Sequence, residues 1–385
     1  MMPMISRTAL VAWMCFVPCV GFAFDYHEPL RGFAVVPSVS VDVFENASGG
    51  IETGARVLAS YDLGLDINTA DAGWWQNGHL RFDLFGIAGS SPSAIVGDFQ
   101  TLDNVDAPQS SKLLEAYYEH FFLDQHLSVL AGLYLQDAEF EVLNYACLFI
   151  NSSFGVTPEL AQIGPSIYPT PSFGTRIKYQ FDGGWYAMGA IYDGEPGDLD
   201  RPRGTHIEFK KGDGVITSFE LGWIHGEPNK TESGAYTKFG AGGWHSTNTF
   251  DDFGGVNRDS NAGVYVIGER ALTDQLGMFA QLGIAMGDRN QLGSYVGAGF
   301  NYTGLLPGRP DDVFGLGFAH ARNTDRFLSN NAGFERAETA VELTYCFSVL
   351  DHITVQPDLQ YIINPGTDPA LDDAVVIGAR VGLEF

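Results

Sequence analysis

The last twelve residues, A-V-V-I-G-A-R-V-G-L-E-F over 374–385, alternate without a break. Val375, Ile377, Ala379, Val381, Leu383 and Phe385 fall on one face, and Val376, Gly378, Arg380, Gly382 and Glu384 on the other. Side chains project to opposite sides of a strand with period two, so this stretch predicts a strand with one apolar and one partly charged face. A strand that ends the chain on phenylalanine fits two architectures. One is the edge of a soluble sandwich. The other is the closing strand of a membrane barrel, which pairs with the first strand and leaves no edge.

The same two-residue beat recurs along the chain. Candidate strands are 33–44, 53–66, 78–88, 111–122, 126–136, 172–181, 184–192, 204–210, 214–225, 235–247, 261–270, 276–287, 293–304, 312–322, 336–347, 351–362 and 374–385. Most approach the ~9–11 residues of a tilted membrane strand. In 53–66, Ala55, Val57, Ala59, Tyr61, Leu63 and Leu65 oppose Arg56, Ser60, Asp62 and Asp66; in 336–347, Val341, Leu343 and Tyr345 oppose Glu338, Glu342 and Thr344. A helix would scatter these charges around its whole circumference. Bacterial barrels have an even strand number, short periplasmic turns and long external loops. Counting turn lengths from both ends agrees only if 204–210 belongs to one external loop, 193–213. The expectation is therefore an all-β chain: a transmembrane antiparallel up-and-down barrel of about 16 strands with both termini in the periplasm. The facing of 235–247, 261–270 and 276–287 stays ambiguous.

The amino terminus sets the compartment. Arg7, an apolar run from Ala9 to Val20 and the small-residue site Gly21-Phe22-Ala23 read as a cleaved secretory signal over 1–23, leaving 24–385 as a single domain. No later apolar run reaches the ~18 residues of a membrane helix. Periplasmic, secreted or outer-membrane residence follows. Cys15 and Cys19 leave with the signal; Cys147 and Cys346 could pair in an oxidising periplasm or stay as two thiols. With 21 Lys+Arg against 47 Asp+Glu, the chain is too acidic to be a nucleic-acid binder. No metalloprotease, hydrolase or phosphate-loop motif and no two-cysteine metal spacing appears, so no catalytic residue, metal or other cofactor is expected.

Residues 137–171 form a long loop with few charges and many apolar residues. Such a loop should pack on something, and inside a wide barrel the available surface is the inner wall. The expectation is a loop folded inward to narrow the lumen; the alternative is a lid over the outer mouth.

Several motifs carry a family resemblance. The stretch L-F-I-N-S-S-F-G (148–155), P-S-I-Y-P (165–169), A-G-L-Y with E-F (131–140), Y-D-G-E-P-G-D (192–198), G-L-L-P-G-R-P-D-D (304–312) and Q-P-D-L-Q-Y-I-I-N-P-G (356–366) resemble, in order, the carbohydrate-selective porins of the OprB family. The likeness covers most of 78–385. It implies a sixteen-stranded outer-membrane barrel through which glucose-like sugars diffuse inward. In that family an acidic residue follows A-G-L-Y directly; here Leu135 and Gln136 intervene before Asp137.

A sugar passage needs donors and acceptors to replace lost water and rings to lie against C–H faces. Arginine supplies a planar fork of donors, and a neighbouring carboxylate keeps it from trapping anions. Alternation puts Arg56, Arg81, Asp83, Glu115, Glu119, Arg176, Lys178, Arg380 and Glu384 on lumen faces. Strands 78–88, 111–122 and 172–181 lie nearest the long loop in sequence. The substrate path is therefore assigned to Arg81, Asp83, Glu115, Glu119, Arg176 and Lys178, with Phe140, Tyr145 and Phe149 from the loop. Arg380 and Glu384, near the periplasmic rim, read as structural. The expected partners are outer-membrane lipid, small carbohydrates and a possible homo-oligomer, monomer or trimer. A general pore, or one for small acids or aromatic compounds, is the alternative; it would want unpaired lumen cations.

Overall fold

Sixteen antiparallel strands pair around a closed ring in the computed structural model, which describes residues 31–198, 201, 203–228 and 236–384. The signal segment 1–23 and Phe385 lie outside the described residues. The strands are β1 Phe33–Gly50, β2 Gly54–Asn68, β3 Gly78–Gly89, β4 Ser110–Phe122, β5 Leu127–Tyr134, β6 Ser172–Gln180, β7 Trp185–Asp193 and β8 Val215–His225. They continue as β9 Thr237–Ser246, β10 Asn261–Ala271, β11 Leu276–Ala285, β12 Leu292–Thr303, β13 Val313–Asn323, β14 Ala337–Leu350, β15 Ile353–Ile363 and β16 Asp372–Glu384. Each pairs with its sequence neighbours, and β1 closes the ring on β16 through pairs such as Val41↔Val381 and Asp42↔Arg380. No strand of the ring keeps an open edge.

Alternation explains why these segments are strands here. Ile177, Val264, Ile284, Leu343 and Ile377 face outward and are exposed, forming an apolar outer band. Their alternates Arg176, Glu269, Gly283, Glu342 and Val376 face inward. An apolar exterior with a polar interior is stable when lipid, not water, bathes the outside. No helix among the described residues is long and apolar enough to cross a membrane. Rings gather where the turns are short: Trp74 stacks on Trp75 at 5.7 Å, Trp75 meets Tyr118 at 6.0 Å, and Trp75 Nε1 donates to Tyr118 Oη at 2.7 Å. Such rings suit a membrane interface, being apolar in body and polar at one tip.

Residues 204–210 form no strand, as the turn count required. The largest difference from expectation is β1. Residues 45–50, read as loop, extend it to Gly50, and register shifts at Asn46/Ser48 and Ser48/Gly50 bend this end against β16. One extra residue per bulge breaks the clean alternation that would have announced a strand.

The start of β1 and the end of β16 lie at the end of short turns such as 123–126, 181–184 and 351–352. The other end carries the long connections. The segment 135–171 enters the lumen, and its Leu143, Tyr145, Leu148, Phe149, Ile150 and Phe154 form the largest apolar cluster with wall residues Tyr265, Ile267, Phe279 and Tyr295. The core of this molecule is thus off-centre, between an inward loop and one arc of the wall.

Candidate functional site

Strand register sets charge against charge on the inner faces of β2, β3 and β4. Asp66 of β2 stands directly opposite Arg81 of β3, and Asp83 opposite Glu115 of β4. The Arg81 guanidinium is 2% exposed. Its Nη1 donates to Asp66, its Nη2 donates to Asp83 Oδ2 at 2.5 Å, and its Nε lies 3.9 Å from Glu115 Oε2. His79 Nε2 lies 2.9 Å from the other Asp66 oxygen. A planar fork between carboxylates fixes both ends of each contact.

A second station stands on β6. Arg176 Nη1 donates to Ser128 Oγ of β5, and Nη2 donates to Glu119 Oε1 at 3.0 Å and to Glu139 Oε1 at 2.9 Å. Lys178, two residues along on the same face, holds its ammonium 5.7 Å from the centre of the Tyr186 ring. Glu139 sits where the long loop leaves the wall. Burial alone would raise its carboxyl, but the charges of Arg176 and Lys178 outweigh that and hold it below the usual range.

The third station is Arg380 of β16. Nε donates to Asp42 Oδ1 at 2.9 Å and Nη2 to Asp42 Oδ2 at 2.7 Å. The same Nη2 reaches Asp103 Oδ1 at 3.0 Å and Asn104 Oδ1 at 2.7 Å. These last two belong to residues 90–109, a second connection that also enters the lumen. Arg380 therefore ties the wall to an inward loop. Just below it, Ser38, Ser40, Ser60, Thr354, Gln356 and Glu384 line a small polar cavity.

Acceptors on the opposite arc hold the loops. Glu269 of β10 takes Asn144 Nδ2 at 2.8 Å and Tyr236 Oη at 2.6 Å on one oxygen, and the Tyr145 N–H at 2.9 Å on the other. Glu342 of β14 takes the N–H groups of Ile150 and Asn151 at 2.6 and 2.9 Å. Glu338 takes those of Phe99 and Gln100, both at 3.0 Å. Glu220 of β8 takes the Glu141 N–H at 3.0 Å and the hydroxyls of Tyr186 and Tyr265 at 2.6 and 2.8 Å. A loop inside a barrel must find partners for its backbone donors, and wall carboxylates provide them in pairs. Glycine makes the room. A Cβ on Gly317 of β13 would lie 2.7 Å from Phe154 Cζ and 2.8 Å from Phe149 Cε1, and one on Gly283 of β11 would overlap the Glu159 carboxyl at 1.6 Å.

Of the nine residues assigned to the path, the six charged ones form two adjoining clusters on β3, β4 and β6. The three aromatics do not join them. Phe140 packs with Leu130, Tyr134, Tyr186 and Met188. Tyr145 meets the Tyr236 ring at 6.0 Å, and the Phe149 ring lies tilted against Phe154 at 4.7 Å and Phe279 at 5.5 Å. All three are buried against the wall. Sequence reasoning missed Asp42, Asp66, Asp103, Asn104 and Glu139 as partners; it read Arg380 as structural, and the bonds to Asp103 and Asn104 give it a tie between wall and loop. Ser38, Ser40 and Asp42 alternate on one face of β1, a signal that could have revealed the partner of Arg380. Tyr168 was also missed: its ring lies edge-on to Phe85 at 5.2 Å, and its Oη donates to Val105 O at 3.0 Å. Its N–H approaches Asp137 Oδ2 at 3.3 Å, and burial pushes the Asp137 carboxyl up to about 7.

A sequence model described as carbohydrate-selective porin, OprB family, matches residues 52–385. Porin B of Pseudomonas aeruginosa is 25% identical over 318 residues, covering 72% of this chain and 69% of its own. The putative porin QuiX of Acinetobacter baylyi is 24% identical, covering 87% of this chain and 89% of its own. The high-pH structure of Pseudomonas putida OprB superposes with a TM-score of 0.80 at 21% identity, covering 92% of this chain and 94% of that one. The outer-membrane channel DcaP of Acinetobacter baumannii follows at 0.58 and 13%, covering 92% of this chain and all of that one.

Proposed function

The chain belongs to the OprB family of carbohydrate-selective porins, channels of the outer membrane, and from that premise we propose that glucose-like sugars diffuse through it into the periplasm past the Arg81, Arg176 and Arg380 stations. The observation that carries the reading is the pairing itself. Each guanidinium already faces at least two carboxylates. An arginine so matched is a poor trap for anions, and the half-buried carboxylates around it, Glu115, Glu119 and Glu139, offer acceptors to hydroxyl groups. Arg81, Asp83, Glu115, Glu119, Arg176 and Lys178 exchange donors and acceptors with the solute as it sheds water, and weak, repeated contacts let it leave again. Phe140, Tyr145 and Phe149 act one step removed, by seating the loop that sets the width. Chemistry on the solute is not part of this reading, which is passive passage.

Export uses the signal 1–23, removed near Ala23, and 24–385 forms the single barrel domain. The loop end faces outward and the short turns face the periplasm. Each barrel carries a complete path, so a trimer would hold three independent channels.

The test is ion conductance of the refolded protein in a planar bilayer during a glucose titration. Saturable reduction of the current places a sugar site in the ion path. A change that follows bulk viscosity alone, with channels present, rejects sugar selectivity and favours a general or small-acid pore.

A further inference from the structure

At the loop end, before the arginine stations, the lumen widens into a cavity of about 690 Å³. Four connections wall it: 90–109, 135–171, 247–260 and 286–291, with Phe327 from the short helix α1, Asp325–Asn330. This volume lies within the ~300–1,000 Å³ of small-molecule sites.

Its lining has two aromatic platforms on separate sides. One is Tyr168, held over Phe85 of β3. The other is Phe253 with Phe327, ring centres 5.8 Å apart. Phe253 precedes β10, which stands almost across the sixteen-strand ring from β3. All three rings line the cavity and are half-buried. The second platform is anchored: the Phe253 N–H donates to Asp288 O at 2.9 Å, Asn330 Nδ2 donates to Phe253 O, and Asp288 pairs with Arg289 at 2.8 Å. The lining also carries polar side chains, among them Asp137 beside the Tyr168 N–H. Asp137 carries an oxygen, Oδ1, that is buried and has no hydrogen-bond partner, an acceptor waiting for a donor.

We infer that this vestibule is a capture site for saccharides of two linked rings, one pyranose against Tyr168 and the other against the Phe253–Phe327 pair, with Asp137 accepting from a hydroxyl between them. A pyranose offers an apolar C–H face and a rim of hydroxyls. An aromatic platform matches the first and a carboxyl the second. A single ring can use only one platform. The narrower arginine arc below is shaped by two inward loops, so a two-ring solute is held where a monosaccharide moves on. The site makes disaccharides blockers of this channel from one side. The inference rests on the sugar-channel reading above.

The test uses maltose and glucose as probes in planar bilayers, added to one side at a time. In the parent chain, maltose at the loop end blocks ion current saturably with a midpoint below that of glucose, and maltose at the turn end does not. In the double variant Phe253→Ala/Phe327→Ala, the loop-end maltose midpoint rises at least about fivefold, since one lost aromatic contact of about 1 kcal/mol corresponds to that factor; the glucose midpoint changes less than twofold. Equal maltose block from both ends, or a maltose midpoint unmoved by the double variant, overturns the vestibule site. Because the sidedness is read on the parent chain, a variant that fails to insert does not decide the matter. Glucose block that persists without loop-end maltose block overturns the vestibule alone. Absence of both blocks in open channels overturns the sugar path beneath it.

Discussion

Replacing Glu269 with glutamine tests whether wall carboxylates hold the constricting loop. Glu269 is buried and receives three donors: Asn144 Nδ2 and Tyr236 Oη on one oxygen, the Tyr145 N–H on the other. Glutamine keeps the shape and loses one acceptor. With its NH₂ toward Tyr145, two donors confront each other. With the amide turned over, the NH₂ faces the Asn144 amide, and only the Tyr236 hydroxyl can rotate to accept. In either orientation one charge-assisted bond disappears and a donor is left unmatched. That costs about 1.5–3 kcal/mol, which moves the balance between seated and unseated loop roughly ten- to a hundredfold toward unseated. Two readouts follow. Open-channel current noise in planar bilayers rises as the loop visits unseated positions, and amide hydrogen exchange at Tyr145 accelerates by the same factor. Unaltered exchange at Tyr145 in a folded, conducting Glu269→Gln barrel would refute the idea that this carboxylate seats the loop.

Three further outcomes follow from the same geometry. Arg81→Ala leaves Asp66, Asp83 and Glu115 facing one another without their guanidinium. The channel stays open but glucose blocks it more weakly, and stability falls by about 3–5 kcal/mol in urea titrations because buried charge is left unpaired; an unchanged glucose midpoint removes Arg81 from the path. Gly283→Ala drives a Cβ into the Glu159 carboxyl, so the loop shifts and conductance changes, whereas Gly183→Ala at an open turn leaves conductance alone; equal traces for the two count against the fit of loop to wall. Loop seating also depends on pH. Burial raises the Glu159 carboxyl from 4.5 to about 7, and burial together with Glu159 raises Glu141, which accepts from Thr157 Oγ1 at 2.7 Å. The seated loop therefore binds more protons than a solvated one, and its stability is full below about 4.5 and falls as pH climbs through about 7. Current is quieter at pH 5 than at pH 8, and Glu159→Gln flattens that difference; noise that grows on acidification contradicts the sign.

The strands were legible because lipid and lumen impose opposite demands on successive residues. That contrast is sharp in β2 and β15, where Tyr61, Leu63, Leu359 and Tyr361 face out and Ser60, Asp62, Asp358 and Gln360 face in. It fades in β9, β10 and β11, whose facing stayed ambiguous. There the inward residues include Trp244, Tyr265, Ile267 and Phe279. Their inner faces mix these apolar residues with Lys238, Glu269 and Gln281, because the loop, not water, covers that side and needs both apolar seats and hydrogen-bond partners. Local pattern reports what a residue meets, and here both faces meet apolar partners.

The same cause separates the legible half of the site from the hidden half. Arg81, Asp83, Glu115, Glu119 and Arg176 keep the two-residue period, so their convergence followed from strand order alone. Phe140, Tyr145 and Phe149 lie in a segment with no period. Their aromatic character announced packing without saying on what. The deciding residues were elsewhere: the small Gly283 and Gly317, which open hollows in the wall, and Glu220, Glu269, Glu338 and Glu342, which wait with acceptors at the height of the loop backbone. A glutamate facing a lumen reads in sequence as solvated charge. Only when a loop brings its N–H groups, two to Glu338 and Glu342 and one to Glu220 and Glu269, does each become a clasp, and the loops and their clasps lie 79 to 239 residues apart in the chain. The paired arginines stand on the remaining arc, β16 through β6, and there too the loops reach the wall, through Glu139 to Arg176 and through Asp103 and Asn104 to Arg380.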